Sequence, residues 1–213
     1  QAELRKLINN GVKYATELGM YVIIDWHILS DGNPVKNKKQ AMSFFKYMAK
    51  KYKNQNNIFY EICNEPNNGA SWGDVKFYVS EVIPSIRDYD KDGVILIGTP
   101  DWCQDIDQAV SDPIKEYDNI MYTFHFYAAT HKEDMRKKLK AAAEEGIPVF
   151  VSEFGISDAS GNGQIDIESA NAWVSLMDQY GISYVCWNMS NKDESSAIVS
   201  KDCEKTYDFT LDD

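Results

Sequence analysis

Two glutamates lie where a pair of carboxylates could do chemistry on one substrate. Glu65 closes the β-rich run Ile58–Glu65, and Glu153 lies near the end of a second run, Val149–Gly155. Parallel strands place their carboxyl ends at one edge of a sheet or one mouth of a barrel, so these side chains would face each other there. Hydrolysis of an acetal needs such a pair, because a protonated carboxyl donates to the leaving oxygen while an ionised one attacks or activates water. The sequence therefore predicts two catalytic carboxylates.

Polar and aromatic residues accompany the two glutamates at the ends of other predicted strands. An asparagine can donate to a sugar hydroxyl, histidines and a tyrosine can orient a carboxylate, and a tryptophan offers a flat face to a pyranose ring. These residues are His27, Asn64, His125, Tyr127 and Trp187. The alternative, that both glutamates only pair with nearby lysines, does not account for these neighbours. Trp26 is expected instead to pack under the helices.

Six β-rich runs alternate with amphipathic segments and must position these residues. The predicted strands are Tyr21–His27, Ile58–Glu65, Val94–Thr99, Ile120–Tyr127, Val149–Gly155 and Ser183–Met189. The predicted helices are Gln1–Leu18, Lys38–Tyr52, Trp72–Tyr89, His131–Glu145 and Asp166–Tyr180, with a shorter one near Asp101–Val110. Continuous apolar strands separated by helices are typical of βαβ units around a parallel sheet. No linker interrupts the pattern, so we expect one α/β domain over residues 1–213.

The composition excludes several classes of partner. The 213 residues include 22 Lys and Arg against 33 Asp and Glu, a formal net charge of −11. Because this charge repels phosphate, we expect no nucleic-acid partner. No apolar run approaches the roughly 20 residues that cross a bilayer, so we expect no membrane partner.

The sequence shows no strong metal or cofactor motif. The four cysteines, Cys63, Cys103, Cys186 and Cys203, form no CxxC pair, which argues against zinc and favours structural thiols. HExxH and P-loop motifs do not occur. We therefore expect neither a metal nor a cofactor, and we interpret Asp158–Gly163 as a polar turn.

Five blocks of sequence carry a resemblance to a known family. They are YVIIDWHILSDGNP (Tyr21–Pro34), IFYEICNEPN (Ile58–Asn67), MYTFHFYAATH (Met121–His131), VFVSEFGISDASGNG (Val149–Gly163) and YVCWNMSNKDESS (Tyr184–Ser196). With NEP and SEFG in this order, the chain resembles glycoside hydrolase family 5, in its bacterial endoglucanase (cellulase) branch. The resemblance implies a TIM-type (β/α)8 barrel, retaining hydrolysis of cellulose or a related β-glucan, no cofactor, and secretion from the cell.

The resemblance also implies a role for each matching residue. Glu65 would be the acid/base and Glu153 the nucleophile, with Asn64 contacting the 2-hydroxyl beside the scissile bond. The remaining subsite contacts would come from His27, His125, Tyr127 and Trp187 at the centre, Lys192 and Glu194 on the non-reducing side, and Trp102 beyond the cleavage point.

The chain departs from the family pattern in its number of strands. Six are predicted where the family barrel has eight, so the N-terminal βαβ portion and the last helix are expected to be missing. The arginine that normally lies beside the nucleophile would be missing too, since Arg5, Arg87 and Arg136 all fall on predicted helices. We therefore expect either an endo-β-1,4-glucanase of reduced activity or a catalytically impaired carbohydrate-binding remnant. The same chemistry on mannan, xylan or mixed-linkage glucan is a further alternative.

The missing strands would leave two strand edges uncovered. Tyr21–Asp25 and Tyr184–Asn188 are apolar and have neither the lysines nor the prolines that usually protect an edge. Pairing of these edges between two chains, which gives a homodimer, is the favoured outcome. The alternatives are a smaller closed barrel and an open gap.

Overall fold

Helices and strands alternate along the chain, and the computed structural model describes residues 2–213. The strands are β1 (Val22–Asp25), β2 (Ile58–Glu61), β3 (Val94–Gly98), β4 (Ile120–Tyr127), β5 (Val149–Gly155) and β6 (Ser183–Cys186). The helices are α1 (Ala2–Glu17), α2 (Lys38–Tyr52), α3 (Trp72–Arg87), α4 (Pro100–Cys103), α5 (Ile106–Ser111), α6 (Glu133–Glu144) and α7 (Ile167–Tyr180). A 3₁₀ turn, Pro34–Asn37, precedes α2.

The strands follow one another in the sheet in the order of the sequence, from β1 to β6. Strands β1 to β4 pair in parallel with their neighbours, with Val22 opposite Ile58, and β6 pairs in parallel with β5. Helices cross from each strand to the next, as parallel pairing requires. The predicted α/β class is confirmed, with six of the eight parallel strands of a TIM-type barrel, of which β1 to β5 are each followed by a helix in the described residues.

Two compact units make up the described chain, which divides after Thr123, inside β4. In the first unit, Phe45 of α2 packs edge-on against Tyr60 of β2, with ring centroids 6.3 Å apart. In the second, the ring of Phe126 in β4 stacks on Trp173 of α7 at 3.9 Å. These large side chains are fully buried, so each unit has an apolar core under its strands.

The boundaries of the helices follow from capping residues. The Ser71 hydroxyl accepts from the amide of Asp74, and the Asp74 carboxylate accepts from the amide of Ser71, so a capping box begins α3. The Asp166 carboxylate caps α7 through the amide of Ser169, and Gly181, with φ of 64°, ends that helix. None of the described helices is both long and apolar enough to cross a bilayer.

Several boundaries of the predicted elements are wrong, and strand β1 ends at Asp25, so His27 lies after it. Strand β2 ends at Glu61 and β6 ends at Cys186, so Glu65 and Trp187 lie on the loops that follow the strands. The single helix expected near Asp101–Val110 is two short helices, because the backbone adopts left-handed conformations at its start.

Cys186 lies on an exposed strand, although its neighbours in the sequence are apolar. All four residues of β6 are exposed, since β6 is the last strand in the sheet order and no further strand covers it. The prediction for Trp26 is confirmed: its ring packs against Phe44 of α2 with centroids 5.2 Å apart. All four cysteines are free thiols.

The end of β3 packs closely against the loop that carries Glu65. A Cβ atom at Gly98 would lie 2.7 Å from the carbonyl oxygen of Cys63 and 2.8 Å from Cδ of Pro66. Such distances are too short for non-bonded atoms, so only glycine allows this loop to lie where it does.

We expect Gly98→Ala to lower the free energy of unfolding by about 1–3 kcal/mol, because the added methyl group overpacks a backbone that cannot yield freely. Gly11→Ala, on α1, is the matched control, since a Cβ atom there has no atom within 4 Å. That change should raise the free energy of unfolding by about 0.5–1 kcal/mol. Urea denaturation measures both, and an unaltered midpoint for Gly98→Ala would contradict the close packing.

Candidate active site

The end of β1 provides an oriented imidazole. The Nδ1 atom of His27 is 2.7 Å from a carboxylate oxygen of Asp25, two residues earlier. A carboxylate at this distance holds the proton on Nδ1 and fixes the direction of the ring. Asp25 and His27 therefore form one unit, of which the sequence analysis assigned only His27 to the site.

Glu65 lies on the loop after β2, next to the buried Asn64. The loop is fixed by its own polar groups: Asn67 Nδ2 donates to the carbonyl oxygen of Glu65 at 2.9 Å, and the Asn67 amide donates to Gly32 O at 2.8 Å. A half-buried carboxyl on a fixed backbone is suited to transferring a proton in one direction.

Trp102 follows β3 on a turn of unusual backbone conformation. Asp101, Trp102 and Cys103 all have positive φ angles, of 54°, 55° and 61°. The turn leaves the indole 44% exposed, which gives it the open face that stacking on a sugar ring requires.

The second unit holds a buried tyrosine–glutamate pair. The Tyr127 hydroxyl, at the end of β4, donates to Oε1 of Glu153 on β5 at 2.8 Å, and Glu153 is only 8% exposed. A hydrogen bond donated to a carboxylate stabilises its charged form, which is the form that can act as a nucleophile. His125 is bonded nearby through Nε2 to the Ser152 hydroxyl at 2.9 Å.

Gly155 makes the tyrosine–glutamate contact possible. A Cβ atom at this position would lie 2.5 Å from Cδ1 of Tyr127. The missing side chain therefore leaves room for the tyrosine ring to lie over β5, where its hydroxyl reaches Glu153. The glycine of the SEFG block thus has a steric role.

The loop after β6 brings three of the predicted residues together. Lys192 Nζ lies 6.0 Å from the centroid of the Trp187 ring and 3.6 Å from Oε1 of Glu194. Glu194 also accepts hydrogen bonds from Asn188 Nδ2 at 3.2 Å and from the Ser196 hydroxyl at 3.2 Å. The hydrogen bond from Asn188 is the main reason why the pKa of Glu194 lies below its ordinary value.

The three arginines lie on helices, as predicted, and each has partners there. Arg5 of α1 lies over the Tyr47 ring, and Arg87 of α3 donates to backbone carbonyl groups that include that of Gly93. Arg136 of α6 lies over the Trp173 ring and donates to the Ser169 hydroxyl. Arg5 and Arg136 thus contact neighbouring helices, whereas Arg87 holds the loops that precede β3 and β4.

The structure therefore divides the predicted residues between the two units. The first unit carries His27, Asn64, Glu65 and Trp102, and the second carries His125, Tyr127, Glu153, Trp187, Lys192 and Glu194. The sequence analysis did not assign Asp25, Ser152, Gly155 or Asn188 to the site. Of these, only Asp25 had a signal in the sequence, a carboxylate two residues before a strand-end histidine.

Parallel strands joined by helices, with carboxylate, imidazole and indole groups just beyond their carboxyl ends, are typical of TIM-type barrel enzymes. A family model described as cellulase (glycosyl hydrolase family 5) matches residues 1–193. The chain belongs to this family. The resemblance found in the sequence is thereby confirmed.

Curated relatives and solved structures agree with the family. Endoglucanase A of Butyrivibrio fibrisolvens is 48% identical over 100% of this chain and 49% of its own length. The endoglucanase of Clostridium saccharobutylicum is 46% identical over 98% of this chain and 47% of its own length. The crystal structure of the endoglucanase catalytic domain of Thermobifida fusca matches with a TM-score of 0.88 and 39% identity, covering 92% of this chain and 65% of that one. The chain thus spans about half the length of these curated relatives.

We expect Tyr127→Phe to lower turnover about tenfold or more, because the hydrogen bond from its hydroxyl to the Glu153 carboxylate is lost. Tyr180→Phe is a matched control, since Tyr180 donates to an exposed carboxylate, that of Glu144, at the same distance of 2.8 Å. The control should keep its full rate. Steady-state hydrolysis of an aryl cellobioside measures both, and equal rates for both variants would contradict a role for the Tyr127–Glu153 bond.

The loop after β6 should loosen in acid. Because the folded-state pKa of Glu194 is depressed, its hydrogen bonds are present above the ordinary carboxyl range and are lost as the pH falls through the folded value. NMR of the Asn188 side-chain amide between about pH 6 and pH 3 should report this change. Glu194→Gln should remove the pH dependence, and an unchanged titration in that variant would assign it to another group.

Proposed function

We propose that the protein is an endo-β-1,4-glucanase that hydrolyses cellulose or a related β-glucan with retention of configuration. The observation that carries this proposal is the buried Glu153, held by the Tyr127 hydroxyl at 2.8 Å at the carboxyl end of a barrel strand. The curated relatives described above are named endoglucanases. A solved Thermobifida fusca relative, 38% identical with a TM-score of 0.88, is described in complex with cellotetraose.

The proposed reaction has two steps. In the first, Glu153 attacks the anomeric carbon while the protonated Glu65 gives its proton to the glycosidic oxygen, so the leaving sugar departs as an alcohol. In the second, Glu65 takes a proton from water while the water oxygen attacks the anomeric carbon. The bond between that carbon and Glu153 breaks, which releases the Glu153 carboxylate. Both steps need the two carboxyl groups about 5–5.5 Å apart, since an inverting pair is separated by about 6.5–9.5 Å.

The aromatic residues support a sugar polymer as the substrate. The half-buried Trp187 and the exposed Trp102 can stack on pyranose rings, with Lys192 and Glu194 available to sugar hydroxyls. A net charge of −11 suits a neutral polymer. Because such a polymer is too large to enter a cell, we also propose an extracellular location.

A second candidate is a carbohydrate-binding protein of low activity. The positions of Arg5, Arg87 and Arg136 favour it, because these arginines lie on helices and contact an aromatic ring, backbone carbonyl groups and a hydroxyl group, respectively. Turnover of a soluble cellulose derivative by the purified chain separates the two functions.

We also propose that the chain associates through its strand edges. Strands β1 and β6 are the first and last in the sheet order, and all four residues of β6 are exposed. Edges of this kind pair readily with another chain. Light scattering at several concentrations should give the mass of a dimer, and a monomer at every concentration would contradict the proposal.

We expect Glu153→Gln to abolish hydrolysis of every substrate, because the covalent intermediate cannot form. Glu65→Gln should abolish hydrolysis of cellulose derivatives but retain release of an activated phenol from an aryl cellobioside in the first step, since a good leaving group needs little protonation. Glu81→Gln, whose carboxylate pairs with Lys38 on the helices, is the control and should be fully active. With the wild-type chain, NMR of the first hydrolysis product should show the β-anomer. An α-anomer would overturn the retaining mechanism.

A further inference from the structure

We propose that Cys103 is a positioning residue for Glu65, holding the loop that carries this carboxyl through its buried thiol. The inference rests on the proposed function for the role of Glu65, and on the geometry of the first unit for the role of Cys103. Nothing in the sequence marked Cys103 as more than a structural thiol.

Three consecutive carbonyl groups, those of Asn64, Glu65 and Pro66, each accept a hydrogen bond. The Cys103 thiol donates to the carbonyl oxygen of Asn64 at 3.1 Å, and the Trp102 amide donates to that of Pro66 at 3.0 Å. The carbonyl of Glu65 itself accepts from Asn67 Nδ2 at 2.9 Å. The peptide group before Glu65 is therefore held by the turn and the one after it by Asn67, and rotation of either would redirect the carboxyl.

The turn that makes these contacts is strained. Asp101, Trp102 and Cys103 have φ angles of 54°, 55° and 61°, and none of them is a glycine. A side chain in the left-handed region brings its Cβ atom too close to the following carbonyl oxygen, which disfavours this conformation. Strain of this kind persists where the surrounding structure demands it, and it clusters at functional sites. Here it places the Trp102 amide and the Cys103 thiol on the same loop.

The thiol is itself oriented by a second partner. Its sulfur lies 3.1 Å from the hydroxyl oxygen of Thr123, which is completely buried on β4. With the thiol proton directed to Asn64, the Thr123 hydroxyl can donate to the sulfur, since its other acceptor, the carbonyl oxygen of Ile97, is farther away at 3.5 Å. Burial raises the pKa of the Cys103 thiol well above its ordinary value, so the thiol keeps the proton that this arrangement needs.

Gly98 supports the same loop from another direction. Its backbone approaches Cys63 and Pro66 so closely that no Cβ atom fits, as described above. The loop that carries Glu65 thus packs against β3 on one side and against the strained turn on the other. The Cys103 thiol is the side chain of the turn that bonds to this loop.

The test uses the 213-residue chain and four variants. Cys103→Ala removes the donor, Cys103→Ser replaces it with a hydroxyl, and Thr123→Val removes the group that orients the thiol. The matched control is Val79→Ala, which shortens a buried side chain on α3 in the same unit. Thr123→Val also serves where Cys103→Ala does not fold.

A series of aryl cellobiosides gives the first measurement. For leaving groups of low acidity, which need protonation, Cys103→Ala should lower kcat/KM about three- to tenfold, since kcat/KM reports the first step. For 2,4-dinitrophenol as the leaving group, kcat/KM should change by less than about twofold, because that first step needs little protonation. Cys103→Ser should restore the wild-type dependence, and Thr123→Val should show a smaller loss of the same kind. The same pattern in Val79→Ala, or no pattern in Cys103→Ala and Thr123→Val, would overturn the proposal.

The carboxyl ¹³C signal of labelled Glu65 gives the second measurement, which needs no turnover. A single orientation predicts one sharp line in the wild-type chain and in Cys103→Ser, and a broadened or displaced line in Cys103→Ala and Thr123→Val. An identical line in all variants overturns the positioning role. If the wild-type chain hydrolyses no substrate while the line changes as expected, the proposed function fails and the positioning role stands.

Discussion

A Cβ atom at Gly155 would lie 2.5 Å from the ring of Tyr127, and one at Gly98 would lie 2.7 Å from the Cys63 carbonyl. Gly98 is the last residue of β3, and Gly155 is the last residue of β5. Their missing side chains let a neighbouring ring or loop come into direct contact with the strand. In each unit, the geometry around the candidate catalytic glutamate therefore depends on one close contact with a glycine.

The two glutamates differ in how the fold holds them. Glu153 lies within a strand, is nearly buried, and receives a hydrogen bond on its carboxylate. Glu65 lies after a strand, is more accessible, and is held through its backbone. A group that must stay ionised benefits from a fixed donor, whereas a group that gives and takes a proton must keep access to water. The difference in support matches the different roles proposed for them.

The fold was largely predictable because buried parallel strands are continuous apolar runs. Strands β4 and β5 begin and end at the predicted residues, and so does α2. The end of β2 was not predictable, because Ile62 and Cys63 extend the apolar run into a loop held by other elements. The left-handed turn was not predictable either, since Asp101, Trp102 and Cys103 include no glycine or asparagine to mark it. The Tyr127–Glu153 contact joins residues of different strands, and nothing local in the sequence specifies it.

The left-handed turn also restricts how the family could vary at this point. Isoleucine, valine and threonine are disfavoured at positive φ, so exchanges at Asp101, Trp102 and Cys103 are limited by backbone geometry before any contact with a ligand is considered. A change of Trp102 that suits a different sugar must also keep this backbone. Variation at the sugar contact proposed for Trp102 is therefore expected among side chains that tolerate a positive φ rather than among β-branched ones.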